Sequence, residues 1–220
     1  MLVALKYFFN GVGSIKVIGN VVYYDINSIS HLAVIFAHLA KYPLVSTKRH
    51  MYCIFLIIHS LYVDKVHLTP QGFMLCLSYI NVLNKPIKAK VLSLITAQLG
   101  PLPLLFLPPV IVVTRYILNP SWVMGFVCGE GSFTYFTATR VIAKGITNLT
   151  YTMVFETSQL PSDTFLLLAV LDCIGIGQLY SQYARVSRIR ISNMRMIQHY
   201  VVPFFTLCPL IGHKAQQYHV

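Results

Sequence analysis

One acid stands alone at the foot of an apolar stretch: Glu130, in Asn119-Pro-Ser-Trp-Val-Met-Gly-Phe-Val-Cys-Gly-Glu-Gly-Ser-Phe133. An isolated carboxylate in that place is unusual and invites a functional reading, although residue types alone read it as an acid of a helix-end region. The chain's other acids, Asp25, Asp64, Glu156, Asp163 and Asp172, lie elsewhere. A second pattern is basic. In Arg188-Ile-Arg-Ile191 the types alternate, which in a strand puts both arginines on one face and both isoleucines on the other. Such a strand can lie on phosphates while its back packs on helices, or it can be a solvated edge; this stretch alone fits both. Other chemistries find no support. Cys53, Cys76, Cys128, Cys173 and Cys208 are scattered without a C-x-x-C, so neither a zinc site nor a disulfide framework is expected, and a reducing compartment fits. The eight histidines show no metal spacing. Gly11-Val-Gly13 is too little for a phosphate-binding loop.

The elements that must position these residues follow from capping and periodicity. Asn119 can cap a helix whose first turn takes Pro120, and Trp122, Gly125, Phe126 and Gly129 recur at i, i+3, i+4 and i+7 on one face. Two glycines four apart let another backbone come very close there, and Gly131 reads as a helix stop. Residues 5–29 read as β structure, with a hairpin turning near Gly19-Asn20. Helices are expected over 28–41, over 46–63 with Ser46 or Thr47 as cap, and from Thr69-Pro70 to about Asn84. Ser132–Ile142 and Leu149–Ser158 read as a hairpin, 163–173 as a helix opened by Ser162 or Asp163, Gly175–Leu179 as a strand start, and 193–205 as the last helix.

Composition sets the wider bounds. The 220 residues carry 17 Lys+Arg against 6 Asp+Glu, a net charge of +11, which suits a polyanionic partner such as nucleic acid or an anionic membrane surface. Hydrophobic residues make up 56% of the chain and mean hydropathy is +0.66, a pull towards membrane. The uncharged run Val91–Thr114 is long enough to span a bilayer, but Pro101, Pro103, Pro108 and Pro109 break it and favour an apolar linker packed on a surface. No signal peptide is read at the N-terminus.

The chain also repeats itself. Tyr42-Pro-Leu-Val-Ser-Thr-Lys48 matches Cys208-Pro-Leu-Ile-Gly-His-Lys214, and Gly11-Val-Gly-Ser-Ile15 matches Gly175-Ile-Gly-Gln-Leu179, in the same order and at nearly one offset. Two copies of one αββαββα-type unit are expected. Only the second contains the Trp122–Phe133 helix and its hairpin.

Val123-Met-Gly-Phe-Val-Cys-Gly-Glu-Gly131, with Trp122 before it and Ser132-Phe133 after it, resembles the signature of LAGLIDADG homing endonucleases; the sixth motif position, usually Asp, is Cys128. His67-Leu-Thr-Pro-Gln-Gly72 is similar to a segment of the same proteins. The resemblance implies an α+β LAGLIDADG homing-endonuclease fold: two αββαββα-type pseudo-repeats with saddle-shaped antiparallel sheets, incomplete here at both ends. It implies a partial first repeat over 1–86, a Pro-rich apolar linker over 87–118 and a second repeat over 119–220. It implies that two signature helices pack at a pseudo-twofold axis and that the penultimate acid, here Glu130, binds a divalent metal, Mg²⁺, beside a scissile phosphate. Two acids are needed at such a centre and one is visible, so the other signature helix is expected from a second chain or a missing N-terminal segment. Lys16 matches a lysine placed near the bound phosphates and water, and is the second catalytic candidate; the other repeat has Tyr180 there. Thr152 matches a polar position near the metal, and Gln159 a structural one. Arg140, Lys144, Thr152, Arg185, Arg188 and Arg190 are the DNA-binding candidates.

The leading expectation is therefore metal-dependent hydrolysis of a long, specific double-stranded DNA site by an intron-encoded, organelle-encoded protein of mitochondrion or plastid, inactive if the fragment stands alone. Two alternatives stay open at this point: a maturase that binds its host intron RNA, needing the basic face and not Glu130, and a small multi-pass membrane protein.

Overall fold

A computed structural model describes residues 1–83, 86–109, 116–142, 146–182 and 185–218. The chain divides into two compact units, Leu2–Val112 and Val113–Val220, the latter with Met1. Each is described by itself.

The first unit opens with helix α1 (Leu2–Phe8), where β structure is expected from residue 5. Leu, Ala and Lys favour a helix, and the stretch lacks the alternation a strand needs. Strands β1 (Ser14–Ile18) and β2 (Val21–Asp25) pair antiparallel through a two-residue turn at Gly19, whose φ is +59°. Helices α2 (Ile29–Lys41), α3 (Lys48–Val63) and α4 (Pro70–Asn81) follow. Thr69 caps α4 as its spacing predicts, accepting from the Gly72 backbone at 3.0 Å, with Pro70 in the first turn. The candidate caps of α3 do less: Thr47 makes no side-chain cap bond and Ser46 Oγ accepts weakly from Lys48 at 3.3 Å.

The presumed linker contains a helix, α5 (Ala89–Leu99), which stops at Gly100 before the first of the prolines. The backbone beyond hangs on α4: Ser78 Oγ donates to the Pro103 carbonyl at 3.1 Å, and the Tyr79 hydroxyl to that of Phe106 at 3.3 Å. Among the described residues no helix is long and apolar enough to cross a membrane. The end of the uncharged run, from residue 110, lies outside the described residues.

The second unit is helices laid on an antiparallel sheet. Helix α6 (Pro120–Glu130) runs directly into β3 (Gly131–Ile142), which pairs with β4 (Ile146–Gln159). Helix α7 (Thr164–Ile174) leads to β5 (Gln178–Gln182) and β6 (Val186–Ile191). The sheet order is β3-β4-β6-β5 and its edges do not close. Helix α7 has Asp163, one of the two expected caps, in its N-cap position and is preceded by a 3₁₀ turn at Pro161–Asp163.

The last helical run is broken. It comprises α8 (Met194–Met196), a π-turn (Ile197–Val201) and α9 (Val202–Leu207), followed by α10 (His213–Tyr218). Pro203 sits at the start of α9, cannot donate a backbone bond and collides with the preceding turn, which accounts for the shift in register. The core joins Val123 and Val127 of α6, Leu167 and Val170 of α7, Phe155, Ile189 and Ile191 of the sheet, and Val201 and Phe205. Each such side chain contributes roughly 1.5–3 kcal/mol of burial.

The repeat is written in the backbone. Gly11 and Gly175 have φ of +76° and +82°, and Gly13 and Gly177 have +85° and +155°. Tyr42 and Cys208 end α2 and α9 with φ/ψ of −124°/79° and −122°/78°. Ser46 and Gly212 both turn left-handed, at +76° and +67°. Three closely matched places in one order, at Gly11/Gly175, Tyr42/Cys208 and Ser46/Gly212, are hard to reach without a shared template.

Candidate functional site

Helix α6 is a polarised rod. Asn119 Oδ1 accepts from the Ser121 backbone at 2.8 Å and Pro120 occupies the first turn, so the start is built as expected. Val123, Val127 and Cys128 face the core, where Val123 and Val127 are wholly buried. Cys128 stands in the motif position that usually carries Asp. Its sulfur accepts from the Ile211 backbone at 3.4 Å and lies 3.7 Å from that of Met124. A thiol suits that buried place, where an unpaired carboxylate would be costly.

The other face of α6 carries Trp122 stacked on Phe126, ring centres 5.4 Å apart, beside Gly125 and Gly129. A Cβ built on either glycine meets nothing within 4 Å. Gly131 differs from its expected role. Its φ is −74°, so it is no left-handed helix stop. It is required because a Cβ there would lie 2.5 Å from Val127 Cγ1 and 2.7 Å from the Val127 carbonyl.

Glu130 ends the rod, exposed, and its carboxylate makes no hydrogen bond or ion pair among the described residues; only its backbone carbonyl is engaged, by Thr157 at 3.5 Å. It opens onto a cleft of about 90 Å³ lined also by Ser132, Glu156, Thr157, Ser158 and Arg188. The sheet register builds this cleft. Ser132 lies opposite Glu156, which in turn lies opposite Arg190, and Ser158 lies opposite Arg188. Ile189 and Ile191 are buried on the reverse, so the alternation in β6 divides a charged face from a core face as its sequence predicts. The charged face is not purely basic. Glu156 Oε2 accepts from Arg188 Nη1 at 3.4 Å and lies 4.0 Å from Arg190 Nη1. Residue types did not mark Glu156. Its signal is the register of two strands about thirty residues apart, which no local spacing reveals.

The remaining candidates are dispersed. Thr152 lies on β4 opposite Phe136, half-buried. Arg140 lies in β3 opposite Asn148, and Lys144 falls outside the described residues. Arg185 is exposed just before β6. Lys16 belongs to the first unit, on the β1–β2 hairpin, where its ammonium pairs with Asp25 at 3.0 Å. At 48% and 35% side-chain exposure that pair contributes about 0–1 kcal/mol. All five cysteines are free, and burial pushes the thiols of Cys76 and Cys173 up, keeping them protonated.

A divalent cation can be tested against this donor set. Among the described residues no group of three or more His, Cys, Asp or Glu side chains could hold a metal ion. Glu130 offers one free, accessible carboxylate, whereas Glu156 is committed to arginines. The residues fit one contribution to a shared centre, with hard oxygen donors suited to Mg²⁺ or Ca²⁺.

The site is thus an exposed acid at the tip of a glycine-notched helix of an α+β unit, running into an antiparallel sheet whose charged face carries Arg188, Arg190 and Glu156. Residues 123–220, a little under half of the chain, match the family model described as LAGLIDADG endonuclease. The chain is 28% identical, over 99% of its length, to probable intron-encoded endonuclease 3 of Neurospora crassa, and covers 40% of that protein. Among solved structures it is similar to the LAGLIDADG homing endonuclease I-SmaMI bound to cleaved DNA, at 29% identity and a TM-score of 0.85, covering 99% of this chain and 71% of that one. The same enzyme has been seen with uncleaved DNA target and calcium ions, at 28% identity and a TM-score of 0.83, covering 99% and 72%. The meganuclease I-CpaMI bound to uncleaved DNA shares the fold at 22% identity and a TM-score of 0.87, covering 99% and 73%.

Proposed function

We propose that this chain works as a homing-type DNA endonuclease, hydrolysing phosphodiester bonds at a long, specific double-stranded site, with Mg²⁺ as cofactor and an organellar intron as its source. The observation that carries the proposal is the unpaired Glu130 carboxylate at the helix tip, opening onto a sheet face that holds Arg188 and Arg190. The likeness to an intron-encoded endonuclease and to structures with bound DNA supports it. Mg²⁺ bound at Glu130 supplies the charge neutralisation and water activation that phosphodiester hydrolysis needs. The chain's own part is positional. Arg188 and Arg190 hold phosphates or base edges, and the strand face fixes the register of the duplex. The notch at Gly125 and Gly129 receives a second signature helix, from a second chain or from the same polypeptide, whose acid completes the centre. By the resemblance alone, Lys16 is proposed as a second catalytic group and Thr152 as a DNA-binding one.

The test is cleavage of duplex DNA spanning the uninterrupted host-gene junction by the purified chain, with the second signature helix supplied. Glu130→Gln abolishes Mg²⁺-dependent cutting and leaves duplex affinity within about twofold. Equal cutting by Glu130→Gln, or cutting in EDTA, removes the carboxylate from the reaction.

A further inference from the structure

Six acids face seventeen basic residues in this chain, and one of the six, Glu156, sits on the charged face of the sheet. A carboxylate there repels phosphate and lowers affinity for any polyanion. Its neighbours show what it does instead. One oxygen, Oε2, is shared between Arg188 Nη1 at 3.4 Å and Arg190 Nη1 at 4.0 Å, while the three side chains are 28%, 28% and 42% exposed. The pairs are therefore partly withdrawn from solvent screening. Among the described residues one nitrogen of each guanidinium approaches the carboxylate, as a hydrogen bond for Arg188 and an ion pair for Arg190, leaving each arginine several donors in a fixed plane. The backbone holds the same arrangement, since Glu156 lies directly across β4–β6 from Arg190 and two pairs along, on the same face, from Arg188.

Resting on the DNA reading above, we propose that Glu156 is a positioning residue. It tethers Arg188 and Arg190 so that their free edges meet guanine in the major groove rather than swing to the nearest phosphate. A tethered fork keeps the bidentate geometry that guanine O6 and N7 select, and an arginine free to rotate serves any phosphate equally. Glu156 thus exchanges non-specific affinity for selectivity at G·C pairs. A direct metal role is disfavoured by the two guanidinium partners and by the lack of a three-ligand group among the described residues.

The experiment is a binding selection from a random-sequence duplex library, read as base preference per position, together with the salt dependence of binding to random duplex. The full chain is compared with Glu156→Gln and Glu156→Asp. Glu156→Gln binds random duplex several-fold more tightly, with a salt slope steeper by about one, and loses about tenfold of guanine preference at one or two positions. Glu156→Asp keeps the charge but is one methylene too short to reach; it loses the preference without the gain in affinity, and decides the question if Glu156→Gln fails to fold. Unchanged preference in the folded variants, or weaker binding to every duplex, overturns the positioning role alone. Absence of salt-dependent duplex binding by the unaltered chain overturns the DNA reading itself.

Discussion

Three glycines within seven residues do different work, and substitution separates them. Gly125 and Gly129 have empty space where a Cβ would go, so alanine at either position relieves the helix of a poor former and raises stability by about 0.5–1 kcal/mol. The same methyl fills the notch, so association with a second signature helix falls even as the melting temperature rises. Gly131→Ala has the opposite sign. Its Cβ meets Val127 at 2.5–2.7 Å, and the junction between α6 and β3 must move, at a cost of about 1–3 kcal/mol. Thermal melts of the three variants, set beside analytical ultracentrifugation, check both halves. At this scale the sequence was informative where the cause was local. The Asn119 cap and the Thr69 cap are read directly from spacing, because each bond closes within three residues. The role of Gly131 was not, since it depends on where the chain goes next. Glu156 needed the pairing of two strands separated by a helix.

Among the elements, the connections after α2 and after α9 make one test of the duplication. Both bend left-handed at the same place, but one does so with Ser46 and the other with Gly212. A left-handed residue with a side chain carries a cost of about 1–2 kcal/mol, partly offset at Ser46 by its contact with the Lys48 backbone. Gly212→Ser therefore lowers stability by about 1 kcal/mol, and Ser46→Gly leaves it unchanged or raises it by up to about 1 kcal/mol. Denaturant titration with constant m-values checks the pair. The repeat was legible because glycines and prolines mark such bends in the sequence itself. Helix α1 was not legible, because seven residues, all but Lys6 apolar, carry too little periodicity to separate helix from strand. The π-turn before Pro203 was not legible either: proline announces a disturbance and leaves open whether the helix stops or changes register.

Across the whole chain, under the proposed function, the excess of positive charge governs encounter with the duplex before any base is read. With a net charge of +11, the proposed binding to duplex should weaken steeply with added salt, by a log–log slope of about −0.9 for each phosphate neutralised. Removing Arg185, which is exposed beside β6, lowers the slope by about one and leaves base preference alone, in contrast to Glu156 substitutions. Salt titration of Arg185→Ala by fluorescence anisotropy checks this. The high hydropathy that pulled the sequence towards a membrane has a structural origin. Part of it fills the core of the second unit, and much of the rest stays on the surface, as at Leu104 and Phe106, 98% and 95% exposed on the segment hung from α4. Composition sums these contributions and cannot tell them apart; the broken run after Val91 could, because prolines forbid the long helix that a bilayer demands.

Strand β6 reaches only as far as Phe155 on β4, yet β3 and β4 remain paired from Thr134–Val154 to Ile142–Ile146, nine rungs further. At about 3.4 Å per rung this free ladder is roughly 30 Å long, and B-form DNA climbs by a similar 3.4 Å for each base pair. Under the proposed function, an arm of that length laid along the helix axis would shield a tract of about nine base pairs on one flank of the cut. Shortening it by two rungs should draw the boundary of DNase protection inward by about two base pairs on that flank and leave the opposite boundary where it was.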